Sequence, residues 1–304
     1  MAQAHAADPT SYLYGHGSLK HFLGYMTSRP VDAHEADTRR LSDDWRVAHE
    51  HARRLRRSEA SWADEPPVYA LPHGMAALVH RVHADPFFQK TFSYVPVEIG
   101  LVELDRLVVC QNLTNLTQVE RLKAQLGPRP SQEQVFRACL PYDHPTPPHQ
   151  LARLSGRTFA FASDTNDLRF LDAVALGPEH LAGYQAFGPI AGVVALVVGY
   201  GSNYLNVLSL EGRLVLNNGN HRAYALHELG VFQVPCVIQK ISDREELNVL
   251  AHHELRRYAD DYLREPRPPV LKDYFDPKLS RVVHLPRTSR HIRVSYSVEE
   301  IDMP

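Results

Sequence analysis

The apolar positions of this chain change period several times, and each change marks an element. Between residue 31 and about residue 58, Leu41, Trp45, Ala48, Ala52 and Leu55 recur at steps of four and three, an apolar seam along one helix. A seam this narrow has to be buried, either on the chain's own core or against a second copy in a homodimer. A shorter helix is expected over 75–83, stopped near Pro86. The period then falls to two. Val95, Val97, Ile99 and Leu101 alternate with Pro96, Glu98 and Gly100, so 94–103 reads as a strand. Residues 107–110 continue extended, 117–126 read as a helix closed by Gly127-Pro128, and a short helix covers 132–140.

The run Pro141-Tyr142-Asp143-His144-Pro145-Thr146-Pro147-Pro148 breaks regular structure. Strands are expected at 157–162, 169–176, 190–198, 204–208 and 213–216, and Gly199-Tyr200-Gly201-Ser202-Asn203 reads as a hairpin turn between two of them. A further strand follows at 234–238. A long helix over 242–264 is expected to open on a capping box at Ser242-Asp243-Arg244-Glu245 and to bury Leu247, Ala251, Leu255, Tyr258 and Tyr262. Beyond Pro266 the tail is rich in proline and ends in an alternating strand at 292–296. Residues 1–17, small and polar, read as a loose arm.

Composition narrows the classes. Among 304 residues, Lys+Arg 33 against Asp+Glu 35 leaves a formal charge of -2, so nucleic-acid binding is disfavoured unless a local patch supplies it. Arg53, Arg54, Arg56 and Arg57 are the nearest to such a patch, but cations in a last helical turn also suit the helix dipole. No membrane partner is expected: no apolar run reaches the roughly 20 residues a spanning helix needs, and the N-terminus lacks a signal-peptide pattern. Cytoplasmic localisation is the expectation. The 3 Cys are widely spaced and give neither a disulfide framework nor a zinc motif. The 18 His raise a metal question, but His80 with His83, and His252 with His253, do not reproduce a metal-ligand spacing, and no metal site is assigned.

Chemistry concentrates in Leu214-Val215-Leu216-Asn217-Asn218-Gly219-Asn220-His221-Arg222-Ala223-Tyr224-Ala225-Leu226-His227-Glu228-Leu229-Gly230, which reads as strand, tight turn and helix. Asn217 and Asn218 serve as caps in this reading and Gly230 as the stop. A strand delivered through a glycine into a helix leaves the helix's first N–H groups without intrahelical acceptors, at the positive end of the dipole. Gly219 permits close approach, and His221 and Arg222 add side-chain donors, Arg222 with a fork suited to phosphate. An anionic ligand is the expectation, with Arg222 partly exposed to meet it.

The segment NNGNHRAYALHELGVFQVPCVI resembles the signature of the ParB/sulfiredoxin-like superfamily: a strand, Gly-x-[His/Arg]-Arg, a helix ending in Leu-Gly, and a Val-Pro strand. The earlier VPVEIGLVELDRLVVCQNLTNLTQVERLKAQLG resembles the family's opening strand, loop and helix. The resemblance implies an α/β (α+β) fold, a ParB/sulfiredoxin-like mixed-sheet core over 92–265 with an insertion at about 128–189. A helical region over 1–91 would precede it and a tail over 266–304 would follow. It implies a nucleotide, ATP or another with magnesium, whose phosphates are lined by Asn218, Gly219, Asn220, His221 and Arg222. Gln111, Asn112 and Asn115 would approach from the other side, with Ser202 an outlying candidate. His221, Arg222 and Gln111 would carry any phosphotransferase or nucleotide hydrolase chemistry.

The departures are specific. Asn220 stands where a sulfiredoxin has its cysteine, and no helix-turn-helix follows as it would in a partition protein. The first-strand loop offers Cys110-Gln111-Asn112 where the family's kinases have a carboxylate, the nearest acids being Glu103 and Asp105. A nucleotide-gated or DNA-associated regulatory binding module without catalysis and a tailoring enzyme on a repurposed fold are the alternatives.

Overall fold

The computed structural model describes residues 7–29, 37–165, 167–181 and 183–301. The chain opens with strand β1 (Ala7–Leu13) and helices α1 (Leu19–Ser28) and α2 (Thr38–Ser58), the latter capped by the Asp37 carboxylate. Strand β2 (Val68–Tyr69), helices α3 (Ala76–Ala84) and α4 (Pro86–Thr91), and strands β3 (Val97–Glu103), β4 (Val108–Val109) and β5 (Leu113–Asn115) follow. Helices α5 (Leu116–Leu126) and α6 (Gln132–Cys139) precede strands β6 (Gln150–Ser155), β7 (Thr158–Ser163), β8 (Leu168–Leu176) and β9 (Val193–Tyr200). Next come β10 (Asn206–Leu210), β11 (Arg213–Asn218), α7 (Asn220–Glu228) and β12 (Gln233–Lys240). Short helices α8 (Leu247–Leu250), α9 (His253–Arg257) and α10 (Ala259–Leu263) and strands β13 (Ser280–Pro286) and β14 (Arg290–Ser295) complete the order.

The chain divides into two units. The first holds the described residues up to Asp143 together with Asn203–Arg287; the second holds His144–Ser202 and the described residues from Thr288 onward. Helices and sheets mix in the first unit, an α+β arrangement. Its six-stranded sheet runs β2-β3-β12-β10-β11-β4, with β12 parallel to β10 and β11 parallel to β4. Alternation along β11 sorts the two cores. Leu214 and Leu216 join the cluster that holds Phe136, Val119 and Leu226, whereas Val215 joins the one built with Leu247, Leu255 and Leu263. The central strands are therefore covered on both faces.

The second unit contains a three-stranded sheet, β14-β7-β6, and a hairpin, β8-β9. Two sequence expectations fail here. The strand expected at 190–198 pairs with β8 rather than joining the strands of the α7 core. Nor is 199–203 a hairpin turn, because β9 and β10 lie in different sheets.

The expected loose arm is instead the middle strand of a second antiparallel sheet, β13-β1-β5. Thr10, Ser11, Tyr12 and Leu13 are buried there, held by ladders on both edges. Residues 1–6 and 31–36, parts of the expected arm and long helix, lie outside the described residues. The α2 seam is spent within the chain. Leu41 and Trp45 pack with Tyr12, Phe22, Met26 and Val283, while Ala52 and Leu55 face the main core. Gly15 makes the close approach possible: at φ 91° its loop lies on Ala48, where an added Cβ would come within 2.9 Å of backbone.

The helix expected over 242–264 is broken. Its capping box forms one residue later than expected, between Asp243 and Glu246. Ala251 is extended, and His252 then caps α9 by accepting from the Glu254 N–H. Leu247, Ala251, Leu255 and Leu263 still line one cluster, so the helical spacing is satisfied by short pieces on a common face. Tyr258 is exposed rather than buried.

Candidate functional site

Strand β11 hands the chain to α7 through Gly219, which caps the helix in the left-handed region at φ 104°. A Cβ there would stand 3.0 Å from Leu205 Cγ and 3.2 Å from its Cα, so both the conformation and the packing require glycine. The two asparagines expected as caps do other work. Asn217 donates to Asn206 Oδ1 and to the Leu250 carbonyl, both at 3.1 Å, and Asn218 donates to the Tyr204 carbonyl at 3.1 Å. Helix α7 therefore opens with no side-chain cap and no acidic residue in its first turn.

Opposite it stands the N-terminus of α5. Asn115 is its cap, accepting from the Gln118 N–H at 3.1 Å, and the first turn again carries no acid. The two helix ends meet directly: the Asn115 N–H donates to His221 Nε2 at 3.2 Å. In that bond His221 Nε2 is the acceptor. Beside it Asn220 donates to Thr114 Oγ1 at 2.6 Å and to the Leu113 carbonyl at 3.4 Å. Its Oδ1 is buried with no hydrogen-bond partner. The sequence expectation that the 111–115 loop and the 219–222 turn face each other thus holds for Asn115, His221 and Asn220.

Other expected site residues are placed differently. Arg222 is 6% exposed and does not present its guanidinium to solvent. Its Nη1 donates to the Ala138 carbonyl at 2.9 Å, to Cys139 O at 3.4 Å and to Asn203 O. Those first two carbonyls belong to the last turn of α6, where carbonyls lack helical donors and a cation complements the dipole. Arg222 is therefore a structural cap for α6. Gln111 is exposed and donates to the Leu113 carbonyl at 3.0 Å. Asn112 donates to the Tyr12 hydroxyl at 3.4 Å. Ser202 falls in the second unit.

The sequence reading missed Asp8. Its Oδ2 accepts from Asn115 Nδ2 at 2.9 Å and its Oδ1 from Thr117 Oγ1 at 3.3 Å, which places a carboxylate over the first turn of α5. No local signal marks it, because its role depends on β1 being a strand. The acids nearer in sequence are engaged elsewhere: Glu103 accepts from the Tyr69 hydroxyl and Asp105 from His227, both within hydrogen-bonding distance.

The strongest buried electrostatics lie elsewhere in this unit. Arg267 and Asp273, both about 1% exposed, form a buried ion pair, and Glu59 accepts from Arg267 at 3.0 and 3.2 Å. His16 Nε2 lies 3.2 Å from Asp273 Oδ2 but off the axis of a hydrogen bond. Burial alone pushes the Asp273 carboxyl up, yet His16 and Arg267 outweigh it and bring it down to about 2. The three cysteines are buried and free, and burial pushes their thiols up, Cys139 to about 12, which keeps them protonated. Among the described residues no group of three or more His, Cys, Asp or Glu converges to hold a metal ion, and no helix is long and apolar enough to cross a membrane.

Compared with known proteins, the chain matches no family model, no curated protein and no solved structure.

Proposed function

We propose that this protein binds a phosphate-bearing small molecule of the nucleotide class where the N-termini of α5 and α7 meet, on a fold of the ParB/sulfiredoxin type. One observation carries the reading: two helix N-termini converge, and neither helix supplies an acidic residue of its own to its first turn, the one carboxylate nearby being Asp8 of β1. Each end presents backbone donors and the positive pole of its dipole, a combination that favours an anion. The order of β11, a left-handed glycine, α7 and a β12 strand parallel to β10 supports the family resemblance. A nucleotide fits through its phosphates, with magnesium carried on them, and its charge is met by backbone rather than by Arg222.

Binding, rather than phosphoryl transfer, is the function this geometry favours. His221 uses Nε2 as an acceptor for the Asn115 N–H, so that nitrogen is committed to holding the two helix ends together. Gln111 is turned onto its own loop.

Calorimetric titration with ATP and with pyrophosphate tests the proposal. His221→Glu places a carboxylate at the second position of α7, which suits the helix but opposes an anion. The variant should melt within a few degrees of wild type and bind either probe at least about tenfold more weakly, the effect of roughly 1.4 kcal/mol of repulsion. Equal affinity in the two proteins refutes the site.

A further inference from the structure

We propose that two copies of this chain associate by pairing their β9 strands edge to edge about a two-fold axis, joining the β8-β9 hairpins into one four-stranded sheet. Strand β9 has the composition of an interior strand. It reads Val193-Val194-Ala195-Leu196-Val197-Val198-Gly199-Tyr200, without a charge or a proline, so both of its alternating faces are apolar. An apolar run of this length marks a strand covered on both sides. In the single chain it is left in water: Val194 is 69% exposed, Leu196 and Val197 are exposed as well, and so are Phe170, Leu171 and Val174 across the hairpin. A two-stranded sheet is marginal by itself, and among the described residues β9 pairs with β8 and with no other strand.

The open edge of β9 selects the partner. Every other edge strand among the described residues carries a feature that discourages pairing. Strands β2 and β4 are two residues long and β5 three. Strand β13 contains Arg281 and Pro286, β14 contains Arg290 and Arg293, and β6 has Arg153 beside a register shift. Within the hairpin, β8 carries Arg169, Asp172 and a register shift at Leu171. Strand β9 has none of these. An antiparallel pair of identical strands is self-complementary, so an edge with no charge to recognise a different protein fits a second copy of itself.

The area agrees. The six exposed side chains leave on the order of 500 Å² of apolar surface per copy, at the upper end of what a lone soluble chain carries. Two copies hold about 1,000 Å², the size at which a specific interface becomes stable. The apolar seam of α2 is no rival interface, since it is spent within the chain.

Sedimentation equilibrium of the full chain over a dilution series tests the pairing. Wild type should sediment at twice the mass of one chain. Val194→Lys places an ammonium on the open edge at its most exposed valine; it should sediment as a monomer and melt within a few degrees of wild type. Val249→Lys, at a similarly exposed valine of α8, should remain a dimer. Amide hydrogen exchange on wild type covers the case in which Val194→Lys does not fold. Alternate amides of β9 point away from β8, and they should exchange at least about tenfold more slowly in the dimer than after dilution to monomer. A wild type that sediments as a monomer or as a polydisperse aggregate overturns the proposal, and flotation of that monomer with phosphatidylcholine vesicles would assign the hairpin to a lipid surface instead. A dimer that survives Val194→Lys, a dimer lost in both variants, or alternate β9 amides that exchange equally fast in dimer and monomer also overturns it.

Discussion

Arg222→Ala is expected to lower the unfolding free energy by about 3–5 kcal/mol, measured by urea denaturation at neutral pH. The guanidinium is buried and serves the carbonyls of Ala138, Cys139 and Asn203 at once. Removing it takes the guanidinium donor from the half-buried Ala138 carbonyl and from Asn203 O, while Cys139 O keeps the Leu205 N–H at 2.8 Å, and it leaves a cavity between α6 and α7 that carries most of the loss. Arg222→Lys should fall between the two, since a single ammonium cannot span the same set of carbonyls as well. A loss below about 1 kcal/mol for the alanine variant, accompanied by weakened anion binding, would return Arg222 to the role its sequence position suggests.

Asp273→Asn should be of comparable size, about 3–5 kcal/mol, because it leaves the charge of Arg267 buried without its main partner. Glu59 accepts from Arg267 at 3.0 and 3.2 Å and limits the loss, and the Val270 N–H at 3.0 Å loses part of its acceptor. The same carboxylate sets an acid limit. Its folded value of about 2 lies below the ordinary 3.8, so its contribution is fully present above about pH 4 and is lost as pH falls from there toward 2. That shift corresponds to about 2 kcal/mol. Stability measured from pH 6 to pH 2 should fall through this window in wild type, and the step should be absent in Asp273→Asn. A wild-type curve flat between pH 5 and 2 would contradict the assignment.

Much of the first unit was legible because its signals are local. Helix α6 has the capping box of Ser131 and Gln134, α5 ends at Gly127 with φ 76°, and β11 runs through Gly219 into α7 as its residues suggest. What was illegible depends on partners distant in sequence. Ala7-Asp8-Pro9-Thr10-Ser11-Tyr12-Leu13 has no convincing strand alternation, and it becomes a buried strand because β13, more than 260 residues on, pairs along all of it. Arg222 at the start of a helix reads as a ligand contact, and only the end of α6, 83 residues earlier in the case of Cys139, explains why it turns inward. Asp8 was missed for the first of these reasons and Arg222 misjudged for the second, so the sequence brought the 219–222 turn and the Asn115 loop together but misread the charged groups around them. The interrupted helix after Ser242 shows a third limit: helical spacing specifies which face is buried, and α8, α9 and α10 bury that face without being continuous.

The central claim is that an anion sits between the N-termini of α5 and α7. Backbone amide shifts followed by NMR during titration with ATP test it most directly, because each donor reports for itself. The account predicts the largest shifts at the amides of Asn220, His221 and Arg222 and of Leu116, Thr117 and Gln118, saturating together with one affinity. Saturating shifts that cluster on other elements while these six amides stay unmoved would contradict it.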